Sequence, residues 1–149
     1  MLPQSLLLLR HYLENFYVGI KMAFKFSQRS LRNLTGVHPD LVHVATRALE
    51  ITVVDFMVAE GVRTTEQQKL LFAAGATKTL KSRHLTGHAL DVAAWVGGRV
   101  RWDWPLYGQI ASAFKTAAAE LGVSITWGGD WRSFRDGPHF ELSWKDYPK

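Results

Sequence analysis

The ten residues Ser82-Arg83-His84-Leu85-Thr86-Gly87-His88-Ala89-Leu90-Asp91 constrain this chain more than any other stretch. They set an imidazole and a carboxylate seven positions apart with a glycine between, and Asp136-Gly137-Pro138-His139-Phe140-Glu141 answers with a second imidazole and two more acids. A hydrolytic zinc site wants three nitrogen or oxygen ligands from the protein and one open position for water. His84, Asp91 and His139 meet that requirement. Gly87 permits the sharp turn by which a loop histidine and a strand aspartate converge. The spacing exceeds the i, i+4 histidine pair of helix-borne zinc sites, so that class is set aside.

Three acids compete to activate the water: Asp130, Asp136 and Glu141. Asp136 is the preferred base, because it stands three residues before His139 across Gly137-Pro138 and can lie beside the metal without ligating it. Glu141 shares a strand face with His139 and suits the orienting of a ligand or of substrate. His88 is expected to face substrate, whereas His11, His38 and His43 have no such context. Trp127 and Trp131 are candidates to line a pocket, although aromatic residues more often fill a core. A lone His or Asp is most often a structural hydrogen-bonding residue, so the combination carries the argument.

The rest of the chain gives the site a frame. Pro39-Asp40 opens a helix with Leu41, Val44, Ala45, Ala48 and Leu49 at helical spacing, after a polar stretch from Ser27 to Val37. The β-branched run from Ile51 to Ala59 reads as a strand ended by Gly61. Thr65 and Gln68 form a capping-box pattern for a helix over about 65–74, with Gly75 past its end. Ala89 to Trp95 reads as a strand, Gly97-Gly98 as a hairpin turn, and Asp103 as the cap of a helix with Leu106, Ile110, Ala113, Phe114, Ala117 and Leu121 in one stripe. Strands at 123–127 and 139–144 follow. This order predicts a single α+β domain whose small antiparallel sheet carries the site between flanking helices.

A chain of 149 residues, 47% apolar, supports one core. With no cysteine, disulfides and thiolate ligands are excluded, and any metal must rest on His, Asp or Glu. The net charge of +5 favours an anionic partner, but the basic residues are dispersed, with a loose cluster at Lys78, Lys81 and Arg83, which argues against nucleic acid. Leu6 to Leu9 is too short for a membrane span and lacks the marks of a secretory signal, so neither membrane insertion nor a signal peptide is expected. Residues 1–21 read as a peripheral extension and 22–149 as the domain, with Met22 a plausible alternative start.

The motif Ser82-x-His84-x-x-Gly87-x-Ala89-x-Asp91 with Asp136-x-x-His139 resembles the zinc D-Ala-D-Ala carboxypeptidase and L-alanyl-D-glutamate endopeptidase family, which includes bacteriophage endolysins. Glu60-Gly61-Val62-Arg63-Thr64-x-x-x-Gln68 resembles the segment that supplies the family's active-site arginine. Trp127-Gly128-Gly129-Asp130-Trp131 and Pro138-His139-Phe140-Glu141-Leu142 are similar to the endolysin branch, so the resemblance spans about 37–144. It implies a Hedgehog/D,D-peptidase-like fold and one Zn2+ on His84, Asp91 and His139. Asp136 would be the general base and Arg63 the cation facing the oxyanion, with Ser82 and Gln68 supporting the site or binding substrate. It further implies a monomer that cleaves peptidoglycan stem peptides between L-Ala and D-Glu and lyses a host. Such an enzyme is expected to accumulate in the host cytoplasm and to reach the wall through a membrane-disrupting partner, a holin. The alternatives are a D-Ala-D-Ala carboxypeptidase and a non-catalytic wall-binding domain.

Overall fold

The computed structural model describes residues 23–149, so the expectations for residues 1–21 and for His11 lie outside the described residues. Two helices open this part, α1 (Gln28–Asn33) and α2 (Pro39–Ile51), followed by strand β1 (Phe56–Glu60) and helix α3 (Thr65–Ala73). A one-turn 3-10 helix at Arg83–Thr86 leads into β2 (Ala89–Val96), β3 (Arg99–Arg101), the long helix α4 (Trp104–Leu121), β4 (Ile125–Trp127) and β5 (His139–Leu142).

The sheet is antiparallel throughout, in the order β1-β2-β5-β4, with β3 pairing the far end of β2. Its two faces have different duties, as the period of two in each strand requires. Phe56, Val58, Leu90, Val92, Ala94, Phe140 and Leu142 belong to one buried cluster with Leu41, Val44 and Leu49 of α2 and Ile110, Phe114 and Ala117 of α4. Phe114 stacks on Phe140 with ring centroids 3.8 Å apart. Each fully buried Leu or Phe there contributes about 1.5–3 kcal/mol. The opposite face carries Asp91, paired in register with His139, and Glu141, paired with Ala89 and with Thr126. The predicted α+β class and antiparallel sheet are therefore what the chain adopts.

Several boundaries differ from the sequence expectation. The stretch from Ile51 is not all strand: α2 continues through Ile51, closed by Thr52 N–H donating to Ala48 O, and β1 starts only at Phe56. Packing of the Leu41 to Leu49 stripe overrides the β preference of Ile51. The polar stretch from Ser27 to Val37, to which the sequence reading assigned no element, contains α1, capped by Ser27 Oγ accepting from Ser30 N. The capping box of α3 lies one residue earlier than expected, on Thr64 and Gln67. Asp103 precedes α4 without capping it through its side chain, because its carboxylate is taken by Arg101 Nε at 2.7 Å. The last strand ends at Leu142, before Ser143 and Trp144.

One irregularity aims a side chain. The β1–β2 register passes from Val58↔Val92 to Glu60↔Asp91, so Ala59 is an extra residue, a bulge. Without it, Ala59 would stand opposite Asp91 and Glu60 would turn to the core face. Asn33 at the end of α1 holds the bulge, its Nδ2 donating to Val58 O at 2.9 Å and Ala59 O at 3.1 Å.

Candidate metal centre and active site

His84, Asp91 and His139 come together as the sequence expects, each offering one ligand atom, with those atoms all within 4.8 Å of one another. His84 sits in the 3-10 turn, whose first backbone N–H groups are capped by Ser82 Oγ accepting from His84 N at 3.2 Å. Gly87 ends that turn at φ +74°, and the chain enters β2 to deliver Asp91. His139 opens β5 directly across from Asp91.

The protonation of these groups is fixed by their partners. His84 Nδ1 lies 2.7 Å from Gly61 O, which can only accept, so Nδ1 carries the proton and Nε2 the lone pair. That lone pair faces Asp91 Oδ1 at 3.3 Å, acceptor against acceptor, in a buried position where Nε2 finds no hydrogen-bond donor. Such a pair is satisfied only by a positive charge placed between its members. His139 Nδ1 lies 3.1 Å from the same Asp91 oxygen and Nε2 lies 2.8 Å from Glu141 Oε2. Burial would lower the His139 pKa, but hydrogen bonds to Asp91 and Glu141 raise it to about 9. Burial pushes the Asp91 carboxyl up, yet the hydrogen bond from His139 leads the effects that hold it well below the usual carboxylate range. The donor set thus fits a divalent cation, which would displace a proton from His139 and leave Nε2–H donating to Glu141.

These groups open into a cavity of about 760 Å³, lined also by Glu60, Arg63, Ser82, Arg83, Trp131, Phe134, Asp136 and Trp144. Asp136 is anchored by its backbone, its N–H donating to Gly128 O at 3.0 Å and its carbonyl accepting from His139 N. Burial, then the charge of Asp91, raises the Asp136 carboxyl above its ordinary value, and His139, His84 and Arg63 partly offset that. A carboxyl poised in this way suits proton transfer near neutral pH better than an exposed one.

Arg63 is buried and held from two sides. Its Nε and Nη2 donate to Glu60 at 2.8 and 2.7 Å, and Nη1 donates to Gln68 Oε1 at 2.6 Å. Its Nη2 also lies 3.8 Å from Asp91 Oδ2. Three of five guanidinium N–H groups are thereby used, leaving two. Gln68, only 1% exposed, spends its amide on Thr79 O at 2.6 Å, so it steadies Arg63 and the 76–82 loop rather than the cavity surface.

Other expected residues fall elsewhere. His88 does not line the cavity. Its Nδ1 meets Thr86 Oγ1 at 2.8 Å and its ring packs 5.4 Å from His38, because its position in the chain turns it away from Asp91. Asp130 is exposed and bound to Lys115 Nζ at 2.7 Å, outside the cavity. Trp127 is buried, and its indole N–H donates to Gly137 O, fixing the turn between Asp136 and His139 from behind. Trp131, in contrast, stands in the wall with its ring 5.1 Å from His139. Glu60 and Arg83 were not singled out for the site from sequence. A salt-bridge partner three residues before Arg63 was the available signal for Glu60, whereas nothing local marks Arg83.

Known proteins resemble this chain over most of its length. Residues 22–143 match the family described as phage L-alanyl-D-glutamate peptidase. The chain is 36% identical over 136 residues to the L-alanyl-D-glutamate peptidase of Escherichia phage T5, an alignment spanning 81% of this chain and 99% of that protein. It is 34% identical over 130 residues to the enzyme of the same name from Listeria phage A118, covering 85% of this chain and 45% of the relative. Among solved structures, the Serratia marcescens L-Ala D-Glu endopeptidase ChiX superposes with a TM-score of 0.81 at 50% identity, over 85% of this chain and 96% of that one.

Proposed function

Because the chain belongs to the phage L-alanyl-D-glutamate peptidase family, we propose that it hydrolyses the L-Ala–D-Glu bond of peptidoglycan stem peptides with one divalent cation held by His84, Asp91 and His139. The observation that carries this reading is the meeting of the His84 Nε2 lone pair with the Asp91 carboxylate in the same cavity as Asp136 and Arg63. Two imidazoles and one carboxylate suit zinc among the common cations. When bound, the cation supplies Lewis acidity, making a water acidic and a carbonyl electrophilic.

The chain's own residues do the rest. Asp136, with its raised pKa, accepts a proton from the attacking water and hands it to the departing amine nitrogen of D-Glu. Arg63, locked by Glu60 and Gln68, offers its remaining N–H groups to the oxygen that gains charge as the carbonyl carbon becomes tetrahedral. Glu141 keeps His139 in the tautomer that directs a lone pair toward Asp91 and His84. Ser82 fixes the turn on which His84 rides, and Trp131 walls the cavity beside His139.

Among the described residues no helix is long and apolar enough to cross a membrane. We place the site of action at the wall of a bacterial host, reached from the cytoplasm through lesions made by a holin, with the enzyme acting as a monomer. Digestion of purified sacculi followed by mass spectrometry tests the bond. A new L-Ala carboxyl terminus is expected, with Asp136→Asn slower by about 10²–10⁴-fold while still binding metal. Release of D-Ala instead would move the assignment to a carboxypeptidase.

A further inference from the structure

Three buried side-chain nitrogens among the described residues have no hydrogen-bond partner: His84 Nε2, and Nε and Nη1 of Arg83. They adjoin one another in the sequence and belong to one cavity wall. The first calls for a cation, as argued above. The other two call for the opposite, because an arginine is always charged and its N–H groups can only donate. A buried guanidinium left partly unpaired is a costly arrangement that needs an explanation in the molecule's function.

Arg83 is 3% exposed and anchored through one nitrogen alone, Nη2 donating to Leu142 O and to Tyr147 O, both at 2.8 Å. Among the described residues no carboxylate forms an ion pair with it. Glu141, the acid nearest in charge terms, is committed to His139. Over the guanidinium lies the ring of Trp144, 4.2 Å away and itself half exposed, on the short tail beyond β5. That ring is a cover a ligand could move aside, and both residues line the cavity that holds His84 and Asp136.

Resting on the endopeptidase reading, we propose that Arg83 is the specificity-determining residue that receives the free carboxylate of the D-glutamyl residue on the leaving side of the cut bond, beneath Trp144. The bond from L-Ala uses the glutamyl nitrogen, so both carboxyl groups of D-Glu lie on the leaving side. One continues the stem peptide and the other remains an anion. Arg83 and Glu141 then divide the floor of the cavity: the acid serves the metal ligand, and the base serves the substrate.

The test uses two synthetic stem peptides, identical except that the free carboxyl of D-Glu is a carboxylate in one and a carboxamide in the other. Metal-loaded wild-type enzyme is expected to prefer the carboxylate peptide by about tenfold in kcat/KM, mainly through KM, as a charge-assisted hydrogen bond implies. Arg83→Met should bring the two within about threefold, and Arg83→Lys should keep part of the preference. Lys78→Met and Lys81→Met should leave it unchanged. Wild-type enzyme cutting both peptides equally would overturn the role of Arg83 while leaving the endopeptidase reading intact. Equal slowing of both peptides in Arg83→Met would show a merely structural role and overturn it too. Cleavage of neither peptide at L-Ala–D-Glu would overturn the endopeptidase reading and this inference together. The wild-type comparison stands even if Arg83→Met fails to fold.

Discussion

At the scale of single residues, the centre works by assigning each polar atom one partner. His84 gives its Nδ1 proton to Gly61 O and keeps Nε2 for a cation, while His139 stands between Asp91 and Glu141. Loss of a partner behind a metal-binding histidine costs about 10–100-fold in metal affinity. Glu141→Gln should lie near tenfold, because its amide oxygen still accepts from His139 Nε2 but without the charge. A competition titration against a chromophoric chelator measures this, and an unchanged metal Kd would remove Glu141 from the site. The grouping of His84, Asp91, His139 and Asp136 in one cavity was legible in the sequence because their types and spacings are chemically restrictive. Gln68 was legible as a residue that supports the site or binds substrate, and its partner became visible once the capping box fell on Thr64 and Gln67, leaving Gln68 to grip Arg63. His88 and Asp130 were misplaced because nearness in sequence to a ligand does not fix which way a side chain points.

At the scale of elements, short devices do the aiming. Asn33 clamps the carbonyls at the Ala59 bulge, the bulge turns Glu60 to the site face, and Glu60 holds Arg63. That chain of contacts joins α1, which the sequence showed only as part of a polar stretch, to the Arg63 side of the cavity. Gly87 is the second device. It adopts φ +74°, and a Cβ there would sit 2.4 Å from Gly36 O, a backbone atom that cannot step aside cheaply. Gly87 O also accepts from His38 N at 2.8 Å. Gly87→Ala should therefore destabilise the fold by at least about 2 kcal/mol, from left-handed strain plus the clash. The urea midpoint reads this out, and a loss below about 0.5 kcal/mol would mean the turn can relax.

At the scale of the whole molecule, the sheet separates duties, with an apolar face packed on α2 and α4 and a charged face open to the cavity. The core needs no metal, so the protein should stay folded without one, while a cation bridging the 3-10 turn, β2 and β5 should stabilise it. With zinc at about 100 times its Kd the gain is about 2.7 kcal/mol, or roughly 5–10 °C in Tm for a chain of this size. Calorimetry with zinc and with EDTA should show that shift in wild type and not in His139→Ala; identical Tm values in wild type would refute a bridging metal. The sequence by itself determined the ligand chemistry, the α+β class and the strand faces, because residue type, the period of two and glycine placement are local properties. Only the tertiary structure decided that β2 lies between β1 and β5, that a bulge gives Arg63 its clamp, and that Arg83 is buried with nitrogens unpaired in the cavity of His84, Asp91 and His139. Those depend on strand order and on contacts between segments far apart in the chain, which local pattern does not encode.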